Sequence, residues 1–173
     1  IPYPFLSAKR VLYVANVSED DLPEMNNAFV EKVKAYAEAE GNLVIPICAK
    51  LEEEIAQLPL DERKEFLQSL GLKQSGLERL IKASFTMLGL ITYLTTGEIE
   101  TRAWTILKGT PAAEAAGKIH TDIQKGFIRA EVVAYDDMIA FKGRGGAREA
   151  GKVRAEGRDY IVNDGDVILF MHN

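Results

Sequence analysis

The sequence predicts two parts of different fold class, an α/β part over residues 1–88 and an α+β part over residues 89–173. In the first part, two short apolar runs flank one amphipathic helix, which is the pattern of a β-α-β unit. In the second part, strand-like segments alternate with turn residues around one short helix, which indicates a small grasp-like sheet. The pattern changes near Gly89, and this change marks the predicted boundary.

The predicted β-α-β unit begins and ends with apolar strands. Val11–Ala15 and Leu43–Cys48 show no alternation of polar and apolar residues, so we expect buried parallel strands. The helix between them is predicted over Met25–Glu40, with Gly41 placed to end it. Its apolar face is expected to comprise Phe29, Val33, Tyr36 and Ala37. Because two strands do not make a sheet, we expect its other strands to lie upstream or in a partner.

Further helices are predicted before the boundary, over Leu51–Gln57, Pro59–Leu70 and Leu77–Leu88. The last of them carries apolar residues at helical spacing, which predicts a stripe that faces a core. The stripe comprises Leu77, Leu80, Ile81, Phe85 and Leu88.

The second part is predicted to contain short strands around one helix. That helix is expected to begin near residue 110. Thr110 is a suitable N-cap, and Pro111 fits the first helical position. Glu114 suits the positively charged N-terminal end of the helix. The predicted strands are Ile91–Thr95, Thr101–Leu107, Ile128–Tyr135, Lys152–Glu156, Tyr160–Val162 and Val167–Phe170.

A polar turn with the pattern of a base-recognition motif follows the first predicted strand. Asn16-Val17-Ser18-Glu19 stands where P-loop GTPases carry Asn-Lys-x-Asp, at a strand end where α/β domains bind ligands. The carboxylate of that motif accepts two hydrogen bonds from guanine, and the longer Glu19 strains this match. Asn16 can still pair with the N6/N7 edge of a purine, and Val17 can supply an apolar face for the ring. The alternative is that Asn16 and Glu19 only begin a loop and cap the next helix.

A second turn supports the first interpretation. Cys48-Ala49-Lys50 follows the next predicted strand, where GTPases carry a Ser-Ala-Lys loop whose backbone N–H groups contact the base. Turns after consecutive parallel strands are expected to meet at one edge of the sheet. Cys48 is interpreted as a small buried residue rather than a nucleophile. The predicted base site comprises Asn16, Val17, Glu19 and the backbone of Cys48, Ala49 and Lys50.

Six segments of the sequence resemble YchF (Obg-like) ATPases, and the resemblance covers nearly the whole chain. They are residues 11–21, 44–52, 75–81, 97–105, 119–132 and 159–168. The resemblance implies the C-terminal part of a P-loop NTPase domain, a parallel sheet with flanking helices, over residues 1–88. It implies a TGS domain, a β-grasp module of translation-related proteins, over residues 89–173.

From this resemblance we expect the full-length protein to be a cytoplasmic, ribosome-associated ATPase that acts as a regulatory switch. In the family, the Asn-x-x-Glu motif goes with a preference for ATP over GTP. The expected cofactors are ATP and Mg²⁺, with the phosphate loop, the Mg²⁺ ligands and all catalytic residues outside this chain. The expected partners are a purine nucleotide and a ribosome or RNA, without a membrane, and we expect a monomer. The alternative is a non-enzymatic module that binds RNA, the ribosome or a protein.

One segment matches the phosphate-loop pattern Gly-x-x-x-x-Gly-Lys but is interpreted as a decoy. Gly146–Val153 ends in valine, which has no hydroxyl for Mg²⁺, and no clear apolar strand precedes it. We expect a loop before a strand at this position.

The same region is basic and could contact phosphates. Residues 142–158 carry six basic and two acidic side chains, a net charge of +4. Such a cluster makes binding to nucleic acid salt-dependent, although a solvated surface loop is an equally good explanation. The residues proposed for RNA contact are Lys142, Arg144, Arg148, Lys152 and Arg154.

Bulk composition excludes several classes of protein. The net charge of −5 argues against a strongly basic protein built wholly around nucleic acid. Cys48 is the only cysteine, so no disulfide can form within the chain. The two histidines have no cysteine or other histidine at ligand spacing, so no metal site is predicted. The longest apolar runs are too short to span a bilayer.

Overall fold

The computed structural model describes residue 3, residues 5–97 and residues 100–173. It divides into two compact units, Ile1–Met87 and Leu88–Asn173. The first unit has a parallel strand pair with helices, and the second has a five-stranded mixed sheet. The fold class predicted from the sequence is therefore confirmed.

The first unit is built around a parallel pair of strands. Leu12 lies opposite Leu43 and Asn16 lies opposite Ile47, so the predicted parallel β-α-β unit is confirmed. Short 3-10 turns cover Leu6–Ala8 and Glu19–Asp21. The elements are β1 (Leu12–Asn16), α1 (Ala28–Ala39), β2 (Leu43–Ile47), α2 (Ala49–Gln57), α3 (Leu60–Ser69) and α4 (Gly76–Leu88).

The core of this unit lies between its strands and helices α1, α2 and α3. Its buried members are Val17, Met25, Val30, Cys48, Leu51, Ile55 and Leu67. The strands themselves are less buried than predicted, because Val14 and Leu43 are each about half exposed. The physical reason is that the described sheet has two strands here, and apolar side chains at its margins lack neighbours.

Helix α1 begins later than predicted, and its predicted apolar face is correct for Ala37 but wrong for Phe29 and Tyr36, which are exposed. Met25 has a φ of 50°, which is incompatible with a helix, and the Asn27 side chain caps the helix instead. Its Oδ1 accepts from the backbone N–H groups of Phe29 and Val30. Phe29 is 77% exposed, whereas Val30 and Ala37 are buried. Gly41, with a φ of 70°, ends the helix as predicted.

The apolar stripe of α4 was predicted to face a core, and this prediction is wrong for its outer members. Leu77, Ile81 and Leu88 are exposed. The helix instead turns its Gly76 and Arg79 side toward β2. A Cβ at Gly76 would lie 3.0 Å from Ile47, and the Arg79 guanidinium donates to the Pro46 carbonyl at 2.6 Å. These contacts fix the rotation of α4 independently of its apolar stripe.

The second unit is a β-grasp-like sheet with the strand order β4-β3-β7-β5-β6. Strands β3 and β7 are parallel, and the other neighbours are antiparallel. The elements are β3 (Leu90–Thr96), β4 (Thr101–Leu107), α5 (Ala112–Ile119), α6 (Thr121–Lys125), β5 (Phe127–Ala134), α7 (Tyr135–Ala140), α8 (Arg144–Glu149), β6 (Arg154–Glu156) and β7 (Asp166–His172).

Helix α5 packs on one face of this sheet through its alanines. Ala112, Ala115 and Ala116 are fully buried against strand residues that include Tyr93 and Val132. The Tyr93 hydroxyl donates to the Ala115 carbonyl at 2.8 Å, and burial raises the pKa of this phenol. Small residues on the helix allow this close approach to the strands.

Three local predictions for this unit are corrected. Thr110 is not the N-cap of α5: its hydroxyl donates to the Leu107 carbonyl, and the first helical N–H groups donate to backbone carbonyls of residues 158–160. The segment predicted as the strand Tyr160–Val162 forms one isolated bridge with Pro111. Within Gly146–Val153, the structure has the end of α8 and a turn rather than a loop.

The Glu52 side chain holds the start of α4, and its removal tests this arrangement. Its two carboxylate oxygens accept from the backbone N–H groups of Gly76 and Leu77 at 2.6 and 3.1 Å. Glu52→Ala should lower the free energy of unfolding by about 1–2 kcal/mol, because two helix N–H groups lose their charged acceptor. Urea unfolding measures this change. Glu53→Ala is the matched control, and an equal loss for both variants would contradict the assignment.

Candidate functional site

The carboxyl ends of β1 and β2 meet at one edge of the sheet. Asn16 lies opposite Ile47 in the parallel register, and the Val17 N–H donates to the Ile47 carbonyl at 2.9 Å. The turn after β1 and the turn after β2 therefore lie side by side. This arrangement is the one that a shared purine site requires.

The Asn16 side chain connects the two turns directly. Its Oδ1 accepts from the Ala49 backbone N–H at 3.0 Å, at the first residue of α2. Asn16 is exposed, and within the described residues its Nδ2 has no hydrogen-bond acceptor. The site thus presents an amide donor beside the N-terminal turn of a helix, where backbone N–H groups are unpaired.

Glu19 and Lys50 form an ion pair between the two turns. The Lys50 Nζ lies 2.6 Å from Glu19 Oε2, and both side chains are partly exposed. The hydrogen bond to Glu19 raises the pKa of Lys50 above its usual range, so the ammonium stays charged. The carboxylate predicted to discriminate between bases is thus held by a cation from the other turn.

The Val17 side chain does not lie where the sequence predicted. It is 6% exposed and packs in the core of the first unit, so it offers no face to a purine ring in this structure. The reason is the alternation of side chains, which turns Asn16 outward and its neighbour inward. Cys48 is 1% exposed, as expected for a small buried residue.

A cleft of about 470 Å³ lies beside Glu19, between the 3-10 turn and helices α2 and α3. It is lined by Glu19, Leu22, Leu51, Glu54, Phe66, Ser69 and Leu70. Asn16 is not part of its wall, so within the described residues the groups predicted to contact a base lie on an open edge rather than in this cleft.

The predicted RNA-contacting cluster lies in the second unit, and its arginines make internal contacts. Arg144 donates to the backbone carbonyls of Glu131 and Val167 at 3.2 and 3.3 Å, and burial lowers its pKa. Arg148 donates to the Glu131 carboxylate at 2.7 Å. Arg144 is therefore a structural residue that fastens α8 to the sheet.

The remaining cations of the predicted RNA-contacting cluster differ in whether a carboxylate lies close to them. Arg154 donates to the Tyr160 hydroxyl at 3.0 Å and lies 3.5 Å from the carboxylate of Asp166. Lys152 lies 3.6 Å from Asp137. Lys142 is exposed, and no carboxylate in the described part of the chain pairs with it.

Sequence reasoning missed the acidic residues that organise this region. Asp166 is buried at the start of β7 and accepts from the Tyr160 hydroxyl at 2.7 Å and the Asn163 N–H at 2.8 Å. Glu131 holds Arg148 from within β5. A carboxylate within an apolar strand segment was the sequence signal that could have predicted these contacts, because a buried charge requires polar or charged partners.

Neither a metal site nor a membrane span is found in the described residues. They contain no group of three or more His, Cys, Asp or Glu side chains placed to hold a metal ion. None of the helices built from them is long and apolar enough to cross a bilayer.

Comparison with known proteins identifies the family. The family model YchF-GTPase_C, described as a protein of unknown function (DUF933), matches residues 90–173. The ribosome-binding ATPase YchF of Haemophilus ducreyi is 53% identical over 171 residues, which are 99% of this chain and 47% of the relative. The ribosome-binding ATPase YchF of Bacillus subtilis is 55% identical over 169 residues, with 97% and 46% coverage. The chain belongs to the YchF/Obg-like ATPase family.

A solved structure agrees with this assignment. The YchF GTPase of Schizosaccharomyces pombe superposes with a TM-score of 0.83 at 36% sequence identity, covering 96% of this chain and 44% of that protein. The chain thus corresponds to the C-terminal portion of YchF proteins and spans about half the length of the curated relatives it matches. Those relatives are named as ribosome-binding ATPases.

The hydrogen bond between Asn16 and Ala49 can be tested without a ligand. Asn16→Ala removes the acceptor, so the Ala49 amide should exchange its hydrogen about five- to tenfold faster, as expected for a net loss near 1 kcal/mol. Hydrogen exchange followed by NMR measures this rate. Asn16→Asp keeps the acceptor and should preserve the protection. Equal exchange in both variants would contradict the geometry.

Proposed function

We propose that this chain provides the base-recognition edge and a TGS domain, over residues 89–173, of a cytoplasmic ribosome-associated ATPase that works as a regulatory switch. The supporting observation is the pairing of Asn16 with Ala49, which joins the two base-contacting turns at one edge of the sheet. The names of the YchF relatives agree with binding of nucleotide and ribosome.

The free amide of Asn16 supports recognition of a purine edge. Its Nδ2 can donate to N7 of the base, and its Oδ1 has a second lone pair that can accept from the N6 amino group of adenine. The N–H groups of Lys50 and Leu51 follow in the first turn of α2, and in the described part of the chain they have no hydrogen-bond acceptor. Adenine presents both groups that this amide needs.

The Glu19–Lys50 ion pair supports a preference for ATP over GTP. Guanine requires a carboxylate placed to accept from both N1–H and the 2-amino group, and Glu19 is one methylene longer than the aspartate that does this in GTPases. Its Oε2 is also held by Lys50 at 2.6 Å. A guanine would have to compete with the Lys50 ammonium for the Glu19 carboxylate. Adenine needs no hydrogen bond to this carboxylate.

Phosphate and Mg²⁺ binding are proposed to lie outside this chain, in the half of the relatives that it does not cover. The first half of the phosphate-loop-like segment Gly146–Val153 lies in α8, and a side chain at Gly146 would collide with the Phe141 carbonyl. The bound ATP would supply the phosphoryl group, while this chain's residues orient the base.

Glu19→Asp tests the proposed base preference in the full-length protein. The shorter side chain withdraws from Lys50 and restores the length found in GTPases, so GTP should gain about tenfold in affinity relative to ATP, the equivalent of about one hydrogen bond. Calorimetry with non-hydrolysable analogues of both nucleotides measures this ratio.

Glu54→Asp is the matched control, since it shortens another carboxylate of the cleft beside Glu19. This control should leave the ratio unchanged. Tighter binding of GTP than ATP by the unmodified protein would contradict the proposed preference.

A second function, contact with ribosomal RNA through the basic cluster, is also proposed. It is supported by exposed cations around α8 and by the ribosome-binding names of the relatives. Lys142 and Arg148 are better placed for phosphate contact than Arg144, whose guanidinium is committed to two carbonyls. If the upstream coding sequence contained no phosphate loop, a non-enzymatic binding module would become the better proposal.

Reversing the charges of Lys142 and Arg148 tests this contact. Lys142→Glu with Arg148→Glu should weaken co-sedimentation with ribosomes and lower the dependence of log Kd on log salt concentration by about two. Lys118→Glu with Lys125→Glu changes the net charge of the same unit equally and is the control. Unchanged co-sedimentation of the Lys142→Glu, Arg148→Glu variant with ribosomes would contradict the proposed contact.

A further inference from the structure

The second unit contains a polar cavity of about 660 Å³ that lies apart from the base-recognition edge of the first unit. Its wall is formed by residues from three segments, 134–137, 151–154 and 163–166. The volume lies within the range of about 300–1,000 Å³ that is typical of ligand pockets. Two members of the predicted RNA-contacting cluster, Lys152 and Arg154, belong to this wall.

The wall of this cavity carries both acidic and basic side chains. The Lys152 ammonium lies 3.6 Å from the Asp137 carboxylate, and the Arg154 guanidinium lies 3.5 Å from Asp166. Both separations exceed the length of a strong charged hydrogen bond, which is about 2.7–2.9 Å. The Lys152 ammonium can therefore still donate to a ligand in the cavity.

Two further carboxylates of the wall have no cation partner in the described part of the chain. Asp164 Oδ1 accepts from the Thr92 N–H at 2.8 Å, which orients the side chain and leaves its other oxygen available. Asp136 is exposed and also lines the cavity. The cavity therefore suits a ligand that brings N–H donors to a carboxylate and an acceptor to Lys152.

Tyr135 supplies an aromatic side chain to the same wall. Its side chain is about half exposed, and its backbone N–H donates to the Gly165 carbonyl at 3.1 Å. A Cβ at Gly165 would lie 3.6 Å from the Tyr135 Cβ, so the tyrosine is held close against this turn. A half-exposed tyrosine ring can stack on an unpaired base.

We propose that this cavity binds an unpaired guanine base of RNA. Guanine presents adjacent N1–H and 2-amino donors, which fit a carboxylate, and the acceptors O6 and N7, which fit a cation. Adenine would place its N1 acceptor against the carboxylate, and uracil has a single N–H donor. The inference rests on the proposed RNA contact, in which Lys142 and Arg148 bind backbone phosphates.

The charge of the cavity favours a base within RNA over other ligands. Four carboxylates and two cations line it, a net charge of −2, which repels the phosphates of a free nucleotide held inside. In RNA the base enters alone, and its phosphates lie outside, near Lys142. A basic peptide would satisfy the carboxylates but would leave the Lys152 ammonium without an acceptor.

Fluorescence anisotropy with short labelled RNAs tests the base preference. The protein should bind hexauridylate with one central guanosine about tenfold more tightly than all-uridine hexauridylate, as one carboxylate–guanine pair implies. Asp164→Asn keeps an acceptor for the Thr92 N–H but offers the base an amide, so this ratio should fall to about one. Affinity for the all-uridine RNA should not fall, because a negative charge is lost. Asp159→Asn, which removes an exposed charge outside the wall, is the matched control and should keep the ratio.

A second pair of variants tests the stacking residue. Tyr135→Leu should weaken binding of the guanosine-containing RNA about tenfold, because a stacked base loses its aromatic partner. Tyr135→Phe keeps the ring and should bind this RNA as the unmodified protein does. Equal loss in both variants would contradict stacking on Tyr135 and overturn this part of the site.

The failure of the guanine site can be told apart from failure of the RNA contact itself. Equal affinity of the unmodified protein for the two RNAs, or a ratio that survives Asp164→Asn, would overturn the guanine site. The RNA contact would still stand if the Lys142→Glu, Arg148→Glu variant lost ribosome binding. Guanosine monophosphate that binds as tightly as the guanosine-containing RNA would assign the cavity to a free nucleotide. An arginine-rich peptide that displaces this RNA from the unmodified protein but not from Asp164→Asn would assign it to a protein partner. Either result would overturn the proposal.

Discussion

The parallel register of β1 with β2 is the constraint on which the candidate base site depends. It sets Asn16 beside Ile47 and brings the Asn16 amide to the Ala49 N–H. A slip of one residue would reverse every side chain, turning Asn16 into the core and Val17 to solvent. Burial of Val17 therefore fixes the exposure of Asn16, so the residues that hold the fold also build the site.

The sequence predicted this arrangement because its signals are local. Two apolar runs with a helix between them require a parallel pair, and polar residues directly after each run must then share an edge. The positions of Asn16, Glu19 and Cys48–Lys50 followed from this logic and from the resemblance to YchF proteins. The Glu19–Lys50 ion pair did not follow, because it depends on the rotamers of two exposed side chains.

The wrong predictions have two different physical causes, and for helix α4 polar contacts between distant residues outweighed a local apolar pattern. Helix α4 presents Gly76 and Arg79 to β2 because Glu52 and the Pro46 carbonyl engage that side, and the outer members of its apolar stripe are left exposed. Val17 was assigned to the base because it follows Asn16 in the motif. The alternation of side chains at the end of β1 assigns it to the core instead.

In the basic segment of the second unit, the fold leaves less unpaired positive charge than the sequence of that segment suggests. Residues 142–158 carry a net charge of +4 in the sequence. The fold brings three carboxylates from outside that segment against its cations, namely Glu131, Asp137 and Asp166. Most of the local positive charge is therefore balanced before any ligand arrives. A phosphate-binding surface in this unit must depend on the cations that these carboxylates leave free, of which Lys142 is the clearest.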